Sequence, residues 1–196
     1  FFNFVSFIMI QPVFTPFPIL ESTRLSLREI VPEDVADLFR YRSNTEVMKY
    51  IGRPLAKEPA DAAKLIEVLR TNAAENNAIT WAITLKGENV LRGTIGYWRI
   101  VKEHHRAEIG YLLDPVLQGK GIMQEAVEEV LRYGFEDMGL HSVEAVINPD
   151  NLASARLLER NAFVKEAHFR EGFFFDGKFQ DTCVYSLLEQ NRIIKL

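Results

Sequence analysis

Gln118-Gly119-Lys120-Gly121-Ile122-Met123 stands between an apolar run and an amphipathic one, and its residue types suit anion binding through main-chain N–H groups. Two glycines let the chain turn tightly and bring those groups close to a phosphate, while the first turn of a following helix adds the positive end of its dipole. Lys120 adds a formal charge. The pattern describes a cradle for a pyrophosphate, and hence a nucleotide-bearing ligand. It is not a Walker A loop, GxxxxGK[ST], because neither Ser nor Thr follows Lys120. The dinucleotide fingerprint GxGxxG also fails, since no third glycine follows Gly119 and Gly121.

The elements that must hold this loop are read from hydrophobic periodicity. Arg24 to Ile30 alternates with period two and predicts a strand, after which Pro32-Glu33-Asp34 opens a helix with Val35, Leu38 and Phe39 on one face. A second helix is expected from Pro59 to about Asn76, with Ala62, Leu65, Ile66 and Leu69 as its stripe. Three strands follow, Ala78 to Leu85, Val90 to Val101 and Arg106 to Leu113, and their short polar connections imply an antiparallel meander. The helix behind the glycine loop carries Ile122, Ala126, Val127, Val130, Leu131, Phe135 and Met138 on one broad face, with Gly139 placed to end it. Ser142 to Ile147 reads as a buried strand, Asn151 to Arg160 as a short capped helix, and Phe163 to Phe169 with Phe179 to Leu188 as a hairpin around Asp176-Gly177. The order β-α-α-β-β-β-α-β-α-β-β predicts an α+β architecture, a mixed sheet with helices on its faces.

With 196 residues, 47% hydrophobic and 26% charged, the chain has the composition and length of one globular domain. The net charge of −4, without a basic stripe, argues against nucleic acid and suits a cationic amine. One cysteine, Cys183, excludes an internal disulfide and fits a reducing, cytoplasmic setting. The apolar opening Phe1 to Ile10 lacks a basic n-region and is short for a bilayer span, so neither a signal peptide nor a membrane segment is expected. Residues before Met9 read as an upstream extension or a non-native remnant, the alternatives being an N-terminal strand or a hydrophobic contact surface. With the proline-bearing stretch Gln11 to Pro18 they make an N-terminal extension, 1–18, ahead of a single domain, 19–196.

The element order and four local motifs resemble the GNAT superfamily of N-acetyltransferases, over about residues 20 to 190. The superfamily signature Q/R-x-x-G-x-G/A is met at Gln118 and Gly121, while Met123 replaces the final small residue. Glu21 to Arg28, Ala107-Glu108-Ile109-Gly110-Tyr111, Asn148-Pro149-Asp150-Asn151-Leu152-Ala153-Ser154 and Glu159 to Glu166 resemble the Rim-type branch. Members of that branch acetylate α-amino groups of ribosomal proteins, and relatives act on small amines. The resemblance implies acetyl-CoA as cosubstrate, no metal, and a mostly antiparallel mixed sheet of about seven strands with about four helices.

Acetyl transfer from a thioester to an amine needs a neutral amine, a closely placed carbonyl, oxyanion stabilisation and protonation of the leaving thiolate. Glu108 is the candidate base, because alternation sets Glu108, Gly110 and Leu112 on one face of a strand entering the cofactor site, where the superfamily often uses a carboxylate. An orienting or solvated acid is the other reading. Leu112 and Leu113 resemble the strand end whose main chain bonds to pantetheine and polarises the thioester carbonyl. Gln118, Gly119, Lys120, Gly121, Ile122 and Met123 form the pyrophosphate cradle. Asn151 and Ser154 match the helix start that meets the pantetheine arm; Asn151 also reads as an N-cap, and Ser154 either as proton donor to the thiolate or as a helix-surface serine. The tyrosine acid common in that helix falls on Leu158 here, leaving Ser154, Tyr111 or water.

His104, His105, His141 and His168 lack metal-ligand spacing, and Cys183 has no evident histidine partner. The cluster Phe169, Phe173, Phe174, Phe175 and Phe179 reads as hairpin packing, an acceptor wall or a homodimer surface. The expected activity is N-acetylation by direct attack of an amine, from a protein N-terminus or a small molecule. The departures at Met123 and Leu158 motivate a competing reading, a non-catalytic acyl-CoA-binding regulatory or interaction module.

Overall fold

The computed structural model describes residues 9–193. Its strands form one sheet in the order β1-β2-β3-β4-β5-β6-β8-β7. The first five are β1 (Leu20–Glu21), β2 (Leu25–Glu29), β3 (Ile79–Leu85), β4 (Gly93–Val101) and β5 (Arg106–Leu113). They run antiparallel to one another as the expected meander. Next, β6 (Ser142–Ile147) lies parallel to β5, and β8 (Lys178–Leu188) and β7 (Val164–Phe175) complete the sheet as an antiparallel hairpin.

The helices are α1 (Val35–Arg42), α2 (Thr45–Met48), α3 (Pro59–Ala74), α4 (Ile122–Glu136) and α5 (Leu152–Arg160). The eight strands and five helices among the described residues exceed the expected seven and four by β1 and α2. A two-residue strand cannot show alternation, and a four-residue helix cannot show a stripe. The α2 turn exists because the Asn44 side chain accepts hydrogen bonds from the N–H groups of Glu46 and Val47. The hairpin strand β7 also runs on to Phe175, beyond the expected Phe169.

Each face of the sheet has its own core. On one, α4 and α5 cover Leu25, Leu27, Ile79, Trp81, Ile83, Ile95, Ala107 and Ile109. On the other, α1 and α3 cover Ile30, Ala82 and Leu91 with Leu38, Tyr41, Ala62 and Ile66. Asn76 supplies the left-handed residue after α3, at φ +56, and Gly139 the one after α4, at φ +71.

Residues 9–18, expected as part of an N-terminal extension, instead pack on the first core. Phe14 is 2% exposed and its N–H donates to Asn76 Oδ1 at 2.7 Å; the Trp81 indole N–H donates to the Pro18 carbonyl at 2.7 Å. Ile10 is buried and its N–H donates to the Lys102 carbonyl. The expectation for residues 1–8 lies outside the described residues.

The seat of α4 on the sheet depends on one glycine. A Cβ on Gly134 would lie 2.3 Å from Tyr97 Oη, and that buried hydroxyl donates to the Val130 carbonyl at 2.9 Å. Alanine is ordinarily the better helix former by about 1 kcal/mol, but here it must displace a buried ring. Gly134→Ala is therefore expected to destabilise the protein by about 1–3 kcal/mol, read as a lower midpoint in thermal denaturation.

Candidate active site

The glycine loop forms where β5 ends. Asp114 caps the 3-10 turn Pro115–Leu117, accepting from the Val116 N–H, and Gln118 returns to extended geometry. Gly119 and Gly121 then take φ values of +71 and +75, which L side chains rarely adopt. Gly121 is the N-cap of α4 and offers no side-chain cap, so the first N–H groups of the helix open toward the loop. Gln118, Gly119 and Lys120 are exposed; Ile122, 4% exposed, anchors the helix start in the core, and Met123 packs beside it. The bulk of Met123 thus goes into the core, away from the cradle.

A clamp that the sequence did not disclose fixes this loop from behind. Glu125 accepts from the Arg24 main-chain N–H at 2.7 Å, from Arg24 Nε at 2.6 Å and from Ser22 Oγ at 2.6 Å. Arg24 Nη1 donates to the Lys120 carbonyl at 3.0 Å, so the turn before β2 holds the loop's own backbone. Burial works against the Glu125 charge, but the Ser22 and Arg24 hydrogen bonds outweigh it and hold the carboxyl below its usual range. The partners lie 101 and 103 positions apart, and a separation of that size leaves no local pattern.

Beside the loop the sheet splits. Strands β5 and β6 pair only at Arg106 with Ser142, Ala107 with Val143 and Glu108 with Glu144. Beyond Glu108 both strands continue, to Leu113 and Ile147, without pairing. Asp114 N–H donates to the Arg92 carbonyl at 2.7 Å, so by strand alternation the main chain of Leu112 also faces β4, opposite Thr94. Ile109, Tyr111 and Leu113 consequently turn their main-chain groups into the split. Of the two expected main-chain contributors, Leu113 faces the cleft and Leu112 is engaged in the sheet, its side chain packed on the α1–α3 core. The second strand leads to Asn151, whose side chain accepts from the Ser154 N–H at 3.1 Å and caps α5. Both helix starts therefore lie at the carboxyl ends of the two diverging strands, where open sheets bind ligands.

Glu108 stands at the closed end of the split, 4% exposed. Burial pushes its carboxyl up to about 7 against the pull of Arg99, with Glu144 adding a raising push and hydrogen bonding by Trp98 and the charge of Arg106 opposing it. Arg99 Nη1 lies 3.3 Å from Glu108 Oε2, yet that oxygen has no aligned hydrogen bond. The neighbouring Glu144 is paired with Arg106. Arg99 takes φ +53 in the β4 bulge between Trp98 and Val101, a break in alternation that concealed its direction from sequence reading.

Ser154 is on the other face. There the Tyr111 hydroxyl is buried without an aligned hydrogen bond, and its pKa is pushed up to about 12 by burial, with Ser154 close enough to pull the other way. Ser154 and Tyr111 thus lie near one another on one face, and Glu108 lies across the sheet from them. Leu158, at the position where the resemblance implies a tyrosine, is 0% exposed core. Among the described residues no group of His, Cys, Asp and Glu could hold a metal ion, and His168 is paired with Asp181. Phe173 leans on Gly52, stacked with Phe175, while Phe174 and Phe179 pack together and remain exposed.

The acetyltransferase (GNAT) domain family matches residues 24–164. The chain belongs to the GNAT acetyltransferases. It is similar to the uncharacterized N-acetyltransferase YoaA of Bacillus subtilis, 37% identical over 173 residues, 88% of this chain and 98% of the relative. It is also similar to a spermidine N(1)-acetyltransferase of Vibrio cholerae, 26% identical over 82% of this chain and 91% of the relative. Among solved structures, the ribosomal-protein-S5-alanine acetyltransferase from Vibrio fischeri superposes with a TM-score of 0.77 at 25% identity, covering 90% of this chain and all of that one. The likeness therefore reaches the Rim-type branch. This GNAT protein is an acetyl-CoA-dependent N-acetyltransferase acting on an amine. No helix among the described residues is long and apolar enough to cross a membrane.

If the Arg24–Glu125 clamp sets the cradle, Glu125→Ala releases the loop without touching a phosphate. Acetyl-CoA affinity, measured by calorimetry, is expected to fall about tenfold, the scale of lost charge-assisted hydrogen bonds. Unchanged affinity would mean that the loop keeps its shape unaided.

Proposed function

We propose that the acceptor amine is a protein N-terminus or a small molecule, and that the parting of β5 from β6 just past Glu108 is what assembles the reaction. In this reading, Gln118 to Met123 hold the pyrophosphate by main-chain N–H groups, and the main chains of Tyr111 and Leu113 bond the pantetheine arm along the split. A Leu113 N–H directed at the thioester oxygen supplies the oxyanion donor. The amine gives its proton to Glu108, directly or through a water, its nitrogen bonds to the acetyl carbon, and the carbon–sulfur bond breaks. The thiolate takes its proton from Ser154, with Tyr111 beside it, and the serine hydroxyl is restored by a proton from water as Glu108 releases its own to solvent. The acyl group passes to the amine directly, and no covalent acetyl-enzyme forms.

The raised carboxyl suits this role, since a base held near neutrality can both accept and release a proton. The two departures that motivated a binding-only module are accommodated: Met123 packs into the core, and the hydroxyls of Tyr111 and Ser154 stand close together though Leu158 carries none. A small amine is the acceptor named for the Vibrio cholerae relative and a ribosomal-protein alanine for the Vibrio fischeri one. Both chemistries are therefore within reach of this scaffold.

The test is thiol release from acetyl-CoA against N-terminal peptides and small amines, followed by the pH dependence of kcat/KM. The wild-type profile is expected to rise through pH about 7 as Glu108 ionises. Glu108→Gln should lose that limb, keep any later rise from the acceptor's own amine, and fall by about 10²–10⁴-fold. Loss of stability is separable by sign. The folded carboxyl titrates above its ordinary value of 4.5, so its ionisation costs stability as pH rises from there to about 7. Glu108→Gln removes that cost and should melt no lower than wild type at pH 8. Full activity with an unaltered profile would remove Glu108 from the mechanism.

For the leaving group, the double variant Ser154→Ala, Tyr111→Phe is expected to lose about 10²-fold in kcat while retaining acetyl-CoA affinity. An unchanged kcat would assign thiolate protonation to water.

A further inference from the structure

On the α1–α3 side, a cavity of about 410 Å³ lies between the end of α1, the segment 54–57 and the start of α3. Arg42 lines it, half-buried, and among the described residues its one side-chain hydrogen bond runs from Nη1 to Met48 Sδ at 3.5 Å. No carboxylate pairs with Arg42 or Arg53 among the described residues. Burial, and then the nearby charge of Arg53, hold the Arg42 guanidinium below its ordinary value. Asp61, the acid at the cavity wall, is committed to the main-chain N–H groups of Lys57 and Glu58. Arg53 in turn lies 5.9 Å from the centre of the Trp98 ring, whose indole hydrogen-bonds to Glu108. Arg42 is thus half-buried beside a second guanidinium, and Arg53, exposed and outside the cavity lining, stands between Arg42 and Trp98, the ring next to the proposed base. Holding Arg42 half-buried without a carboxylate costs stability, and an anion in the cavity would offset that cost.

We propose that Arg42 and Arg53 form an anion subsite in the acceptor cleft, so that the amine acetylated carries a carboxylate or phosphate group and is not a polyamine. This rests on the reading of Glu108 as the base, which fixes where the amine sits. It runs against the net charge of −4, which suits a cationic acceptor, because two guanidiniums, Arg42 and Arg53, stand together here. Guanidinium forks bind carboxylate and phosphate alike, so the geometry leaves both sources open.

The experiment compares kcat/KM for glycine against glycinamide and for O-phosphoethanolamine against ethanolamine, with spermidine as the cation, in wild type, Arg42→Gln, Arg53→Gln and Arg53→Glu. Ratios between wild type and variant cancel the intrinsic reactivity of each acceptor. The anionic acceptors are expected to lose about tenfold or more in Arg53→Gln, the neutral ones to change little, and spermidine to gain in Arg53→Glu. The glycine and phosphoethanolamine arms tell carboxylate from phosphate. Arg53 is exposed, so its variants should fold even if Arg42→Gln does not. Acetyl-CoA affinity should stay unchanged, which separates this subsite from the cofactor's own phosphates. Equal losses for charged and neutral acceptors, or a wild-type preference for spermidine untouched by Arg53→Glu, would overturn the inference while leaving the acetyltransferase reading intact. Should no amine turn over, that reading of the site fails. Calorimetric titration with the same pairs then decides the subsite, and equal binding of charged and neutral partners rejects it.

Discussion

The site depends on one limit in backbone pairing: β5 and β6 share three residue pairs and then separate. Each has a full partner on its far side, since β5 pairs with β4 down to Leu113 and β6 pairs with β8 from Ser142 to Ile147. The sheet is therefore two half-sheets joined at a short seam. Peptide groups that face a split must find hydrogen bonds elsewhere, and an amide-bearing arm lying between the strands can supply them. The loop at Gly119 and Gly121 and the capped start of α5 follow because each is the first turn after one of the parted strands.

The seam also sets the electrostatics. Glu108 and Glu144 are the last cross-strand pair, so two carboxylates sit side by side where the sheet is still closed and water is largely kept out. Arg106 neutralises Glu144, while Arg99 reaches Glu108 from an exposed position on the β4 bulge and only partly offsets its burial. A carboxyl held near neutrality results from placing the residue at the end of the pairing. Moving it one position along β5 would turn the side chain to the opposite face, toward α4 and α5.

Much of this was legible beforehand. The period-two runs gave β3, β4 and β5 to within three residues at each end, and the alternation around Glu108 set it on one face of β5 with Gly110 and Leu112, as the strand has them. The positive φ values at Gly119 and Gly121 are those that residue choice at the loop implies. What stayed hidden has non-local causes. Arg24 and Glu125 belong to different elements and meet only after the chain folds, and Arg99 owes its direction to a bulge that no periodicity encodes. Leu112 and Leu113 look alike in sequence, and only the register against β4 tells which main chain is free. Residues 9–18 carry prolines and no period, so their burial against Trp81 and Asn76 could not be read from their own composition.

The outer strand β7 bears on how this protein behaves in a crowded solution. It is the last strand of the sheet and displays Val164, Phe169, Phe173 and Phe174. A long apolar edge of this kind is a template for another chain to add itself and begin a fibril. Here the register slips twice, between Lys165 and Ala167 and between Phe169 and Phe173, and Glu171 takes φ +52 inside the second irregularity. Lys165, Glu166, Arg170 and Glu171 are interspersed along the same edge. The straight run open to a foreign strand is thereby cut into short pieces flanked by charge. The hairpin can carry its phenylalanines at the surface while the protein remains a poor seed for aggregation.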